Sequence, residues 1–121
     1  MAEYPEVTIY GACPSKSNCY KVARREGHGT LTKSDALKNY EQSFFMQNTL
    51  RHKKISKRFK FTVYVYYKSD RPDLDNALKI LLDCLQLSET ITNDRLCAEI
   101  HAHKFIDKVN PRVVFTIEEL I

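Results

Sequence analysis

Phe59-Lys60-Phe61-Thr62-Val63-Tyr64-Val65-Tyr66-Tyr67-Lys68 alternates with a period of two. Phe59, Phe61, Val63, Val65 and Tyr67 fall on one face, and Lys60, Thr62, Tyr64, Tyr66 and Lys68 on the other, as in a half-buried β-strand. Ser69-Asp70-Arg71-Pro72 breaks the pattern. The period then changes to that of a helix, from about Asp73 to Gln86, with Leu74, Leu78, Leu81, Leu82 and Leu85 on one face. Pro72 suits the position before a helix start, and Asp73 suits an N-cap.

Upstream, Thr32-Lys33-Ser34-Asp35 resembles a capping box with Asp35 in the Glu position. The helix it opens is expected to reach about Thr49, with Leu37, Tyr40, Phe44 and Gln47 in one stripe. Glu6 to Cys13 reads as a first strand, and Pro14 to about Leu31 as a long loop. Downstream, Arg95 to Phe105 and Arg112 to Glu118 read as two strands, separated by the turn Asp107-Lys108-Val109-Asn110-Pro111. The order is β-α-β-α-β-β. It predicts one α+β domain, a mixed β-sheet with two main helices.

A chain of 121 residues with 43% hydrophobic content can bury one core. It has no apolar run of the roughly 18 residues that a membrane span needs. The polar start, Met1-Ala2-Glu3-Tyr4-Pro5-Glu6, does not read as a signal peptide, so a soluble cytoplasmic protein is expected. Cys13, Cys19, Cys84 and Cys97 form no Cys-x-x-Cys pair, and reduced thiols are expected. The net charge of +4 is unevenly placed. Residues 1–60 carry 12 Lys/Arg against 5 Asp/Glu, and residues 61–121 carry 7 against 10. A basic surface attracts phosphate, whereas an acidic cluster tolerates phosphate only with a cation between them.

The acidic half centres on Arg71-Pro72-Asp73-Leu74-Asp75-Asn76-Ala77-Leu78-Lys79. Two readings are open. In one, Asp73 caps the helix, Asp75 complements its dipole, and Asp75 pairs with Lys79 on the surface. In the other, Asp73 and Asp75 join Asp94, at the start of the next strand, as hard oxygen ligands for Mg²⁺ or Mn²⁺. Asp75 and Lys79 flank the leucine stripe and are expected to be only partly exposed.

The motif Asp73-Leu74-Asp75-Asn76 with Lys79, followed by an Asp nineteen residues beyond Asp75, resembles the RusA family of Holliday-junction resolvases. Lys104 and the closing run Pro111 to Glu118 are similar to that family too. Pro14-Ser15-Lys16-Ser17-Asn18 resembles more weakly its Pro/Ser/Asn element. The resemblance implies a metal-dependent endodeoxyribonuclease that cuts Holliday junctions or related branched DNA in recombination and repair. It matches Asp73, Asp75 and Asp94 to the family's three aspartates, read as metal ligands, and Lys79 to its functional lysine, expected to contact the scissile phosphate or stabilise the transition state. Asn93 stands where some members have an acidic residue, and the basic loop before Thr32 matches no family pattern.

Candidate DNA contacts are Lys16, Asn18, Lys21, Arg24 and Arg25 in the first loop, Lys53, Lys54, Lys57 and Arg58 in the basic run, and Arg71 and Lys104 near the motif. The basic run reads equally as a solvated loop. Two nicks in a two-fold junction suggest a homodimer. If Asp73 and Asp94 share one metal, the strands at 59–68 and 95–105 must run antiparallel. The alternative is a non-catalytic DNA-binding protein on the same fold. Phe44 and Phe45 read as helix core, and Cys97, Glu99, His101 and His103 as an exposed strand face rather than a zinc site. Tyr64 and Tyr66 face either an interface, DNA or a covering helix.

Overall fold

The computed structural model describes residues 3–25 and 28–121, without the side chains of residues 16, 23–25 and 28. The strands are β1 (Val7–Tyr10), β2 (Tyr20–Arg25), β3 (His28–Lys33), β4 (Phe59–Tyr67), β5 (Cys97–Ile106) and β6 (Arg112–Glu119). The helices are α1 (Asp35–Gln47) and α2 (Leu74–Leu87), with short 3-10 turns at Lys16–Asn18 and Asp94–Leu96. The main sheet has the order β1-β6-β4-β5, and β2 pairs with β3 separately. It is the expected α+β fold with a mixed sheet and two main helices.

The alternation read in β4 is real. Phe59, Phe61, Val63 and Val65 are fully buried, and Tyr67 nearly so. With Val7, Ile9, Val113, Phe115 and Ile117 they form the face on which both helices pack, and Phe44 of α1 stacks on Phe115. The centre of α2 lies slightly round from the leucine stripe. Ala77, Ile80, Leu81, Cys84 and Leu85 are buried, while Leu74, Leu78 and Leu82 flank them. Ser34, not Thr32, caps α1, its hydroxyl accepting from the Leu37 N–H at 3.1 Å. Phe45 stays out of the core, half-buried beneath Arg51 and His52. No described helix is long and apolar enough to cross a membrane.

Two expectations about the strands fail. The segment 14–31 is not one long loop, because β2 and β3 pair antiparallel from Tyr20↔Lys33 to Arg25↔His28. Val22 and Leu31, opposite one another, are 63% and 74% exposed. This hairpin has no core face at that pair to impress a period on the sequence. The second failure concerns β5, which runs parallel to β4. The cause is helix length. Fourteen residues of α2 span about 21 Å, enough to carry the chain back to the start of β4. So β5 begins beside Phe59, where Cys97 pairs.

The other sheet face carries no helix. Tyr64 stacks on His103 and Phe105, Tyr66 stacks on Phe105, and the Arg112 guanidinium lies 3.8 Å over the Tyr66 ring. Of the readings for Tyr64 and Tyr66, the covering helix is excluded.

Candidate active site

The first end of α2 is built on Tyr67. Its ring is buried at the end of β4 and its hydroxyl donates to the Asp73 carbonyl at 3.3 Å. The turn over residues 69–72 then leads into Asp73 at the N-cap position, with extended φ −89° and ψ 137°. Asp73 has the backbone of a cap, but its carboxylate makes no capping hydrogen bond. Two residues on, Asp75 accepts the Asn76 N–H at 2.9 Å. Both carboxylates are exposed, and neither has an ion-pair partner among the described residues. The Tyr67 hydroxyl registers them. Burial is the main cause raising its pKa well above 10, and the charges of nearby Cys13, Asp73 and Asp75 add to it.

Lys104 braces the same corner. Its ammonium donates to the Asp70 carbonyl at 2.8 Å, lies 3.2 Å from the Asp70 carboxylate and sits 5.9 Å from the Tyr67 ring centre. Asp73 lines an open cleft of about 380 Å³ with Ser15, Ser17, Arg71, Pro72 and Asn76. Ser15, Ser17 and Asn76 carried no functional reading in the sequence beyond their place in two family-like motifs.

Asp75 and Lys79 are fully on the surface rather than partly covered. Nor do they pair. The Lys79 ammonium lies 3.3 Å from Asp83, the next acidic residue along α2.

Asp94 is at the far end of α2. Its N–H donates to the Gln86 side chain at 2.9 Å, and Asn93 caps the short turn that it starts. A helix of about 21 Å lies between it and Asp73, whereas Mg²⁺ ligands sit only about 2.0–2.1 Å from the ion. Within one chain Asp94 therefore cannot share a cation with Asp73 and Asp75. Among the described residues no three His, Cys, Asp or Glu side chains are grouped to hold a metal, around Cys97, His101 and His103 included.

The model of the family described as Endodeoxyribonuclease RusA matches residues 13–118 of this chain. The chain belongs to the RusA endodeoxyribonuclease family. Membership carries a nuclease activity of the Holliday-junction resolvase type. No curated protein matches the chain.

The RusA match spans both ends of α2 and both groups of basic residues. Arg71, Asn18 and Lys104 lie at the Asp73 end. Asn18 is exposed, its carbonyl accepting from the Ser34 hydroxyl. Lys21 is exposed on β2. The side chains of Lys16, Arg24 and Arg25 lie outside the described residues. Lys53, Lys54, Lys57 and Arg58 are exposed at the opposite end, with Asp94. There the loop holding Lys53 and Lys54 is locked to the segment after α2. The His52 N–H donates to Ser88 and the Lys54 N–H to Glu89, at 3.0 and 2.9 Å. His52, Lys54 and Glu89 all have left-handed backbones, φ 62°, 52° and 55°, held there by these bonds. The basic loop is thus rigid rather than trailing.

Proposed function

We propose that this chain is a Mg²⁺-dependent endonuclease, with Mn²⁺ as a substitute. It cuts phosphodiesters in Holliday junctions or related branched DNA during recombination and repair, and works as a homodimer. One observation carries the reading. In a RusA-family chain, Asp73 and Asp75 lie two residues apart at the start of α2, both exposed and without cationic partners among the described residues, and Asp73 lines an open cleft.

The donor set fits the ion. Mg²⁺ is commonly held by one or two carboxylates, with waters and substrate phosphate completing the shell. Bound there, it would supply an acidified water and offset charge developing on the phosphate. Asp73 and Asp75 hold it. The Tyr67 hydroxyl fixes the Asp73 backbone, and Lys104 fixes the preceding turn. Lys79 has only one exposed partner, Asp83, and can leave it for the scissile phosphate.

Asp94 joins this centre from a second copy. β5 has β4 on one side only, so a ten-residue strand edge is free in the sheet. Ile100, Phe105 and Ile106 are exposed along that strand. A two-fold axis through the middle of β5 pairs it antiparallel with its copy. The partner's Asp94 end then meets the Ile106 end, beside the turn that leads into Asp73. The rigid basic loop travels with Asp94, so each centre gains Lys53, Lys54, Lys57 and Arg58 from the neighbouring protomer.

Mixing two inactive variants tests this directly. Asp75→Asn and Asp94→Asn homodimers are each expected to lose junction cleavage. Refolded together, they form heterodimers in which one centre is wild type and the other carries both changes. Nicking of one strand should return. No recovery on mixing, or full activity of Asp94→Asn alone, removes Asp94 from the centre. No cleavage by the wild-type protein with Mg²⁺ or Mn²⁺ removes the nuclease reading.

A further inference from the structure

The cleft beside Asp73 has two unlike walls. One is the Arg71–Asp73 turn. The other comes from the segment after β1, where Ser15 and Ser17, their hydroxyls 3.1 Å apart, line the cleft with Asn76. That second wall is pinned from beneath. Cys13 and Cys19, at either side of it, are 5% and 1% exposed. The Cys19 thiol donates to the Ser15 carbonyl at 3.1 Å, the Asn18 N–H reaches the same carbonyl at 3.0 Å, and the Ser34 N–H bonds the Cys19 carbonyl at 2.8 Å. Buried anchors thus hold two hydroxyls at an open cleft. The Arg71 guanidinium, on the opposite wall, has no ion-pair partner among the described residues.

We propose that this cleft seats one phosphodiester of the cut DNA strand, with Ser15, Ser17 and Asn76 donating to its oxygens and Arg71 supplying the positive charge. The assignment rests on Asp73 and Asp75 being the nuclease centre, because it sets the strand against them. Hydroxyl, amide and guanidinium groups are all donors to phosphate, and none reads a base from this position. The cleft therefore takes a backbone of any sequence.

The test is the affinity of the full-length protein for a four-way junction in Ca²⁺, at several salt concentrations. The variants are Ser15→Ala/Ser17→Ala and Arg71→Gln. The double serine variant is expected to bind about tenfold more weakly with an unchanged salt slope, since it loses hydrogen bonds to a charged group but no charge. Arg71→Gln is expected to lower the slope by about one. Ser15→Thr/Ser17→Thr keeps both hydroxyls and should recover most of the affinity, which separates lost donors from a disturbed loop. Unchanged affinity and slope in both variants overturn the phosphate seat, and so does weakened binding that threonine does not recover. Both effects can be read without cleavage. If they appear while the wild-type protein cuts nothing, the seat stands and the nuclease reading falls.

Discussion

The two ends of α2 are treated oppositely. After its last turn the buried polar side chains Asn48, Ser88 and Thr90 are all hydrogen-bonded. The Ser88 hydroxyl donates to the Cys84 carbonyl at 2.8 Å. Asn48 is fully buried; its amide donates to the Thr90 hydroxyl at 2.8 Å and its carbonyl accepts the Leu50 N–H at 2.9 Å. Thr90 passes the chain on to the Leu50 carbonyl at 3.0 Å. At the first turn, Asp73 occupies a capping position without capping, and Asp75 accepts its neighbour's N–H. A closed hydrogen-bond network adds stability and rigidity. Two exposed carboxylates without ionic partners among the described residues add neither. The last turn serves the fold, and the first turn is where we propose that the cation binds.

The sharpest way to break this contrast is to remove one polar group from each end. Asp75→Asn should lower junction cleavage by about 10²–10³-fold and leave the melting temperature nearly unchanged. Asn48→Ala should do the reverse. It strands the Leu50 N–H in the core and takes from the Thr90 hydroxyl the amide that donates to it, at a cost of about 2–3 kcal/mol, or roughly 5–15 °C in melting temperature. Cleavage at a temperature where the variant is folded should stay within about threefold. Loss of activity in Asn48→Ala while folded, or loss of stability in Asp75→Asn, would show that the two ends are not separate in role.

A smaller effect sharpens the same comparison. Mg²⁺ at 100 times its dissociation constant should stabilise the folded protein by about 2.7 kcal/mol through mass action. Thermal unfolding with and without Mg²⁺ reads it. Asn48→Ala should keep the whole shift from its lower starting point. Asp75→Asn should lose most of it. An equal shift in both variants would place the cation elsewhere.

How much of this the sequence disclosed follows the same division. β4 and α2 were legible because a core imposes a period: Phe59 to Tyr67 and the α2 leucines are spaced by what they must bury. The family was legible as a motif, whereas the geometry of the proposed acidic centre was not. The length of α2 was legible, about Asp73 to Gln86 against the observed Leu74–Leu87, but the spacing of Asp73, Asp75 and Asp94 does not say that the helix runs back along β4 to its start. That path decides whether β5 runs parallel, and so whether Asp94 can reach its counterparts in the same chain. The β2–β3 hairpin was hidden for the opposite reason. Val22 and Leu31 are its paired apolar residues and both are exposed, so burial left no mark. The Ser15–Ser17 wall is set by buried cysteines, which the sequence presents only as four thiols without a pattern.

Asp107 gives the mildest form of the contrast, because it lies at the same end of β4 as Asp73. Its N–H donates to the Tyr67 carbonyl at 2.7 Å. Unlike Asp73, its carboxylate is satisfied. It accepts the Asn110 and Val109 N–H groups at 3.0 and 3.1 Å, and pairs with Arg112 at 2.9 Å. The Asn110 N–H, then the Arg112 bond, hold its pKa below the usual carboxylate value. A carboxylate depressed by folding stabilises the folded state above its unfolded pKa of about 3.9, and that stabilisation is lost as pH falls through the folded value. The acid limb of the melting-temperature curve below about pH 4 should therefore be shallower in Asp107→Asn than in the wild-type protein. The group is open to solvent, so the difference will be small, and the Mg²⁺ shift at neutral pH should not change. An equally steep acid limb in Asp107→Asn would mean that the turn's hydrogen bonds add no proton-linked stability. A lost Mg²⁺ shift would mean that Asp107, not Asp73 and Asp75 alone, faces the cation.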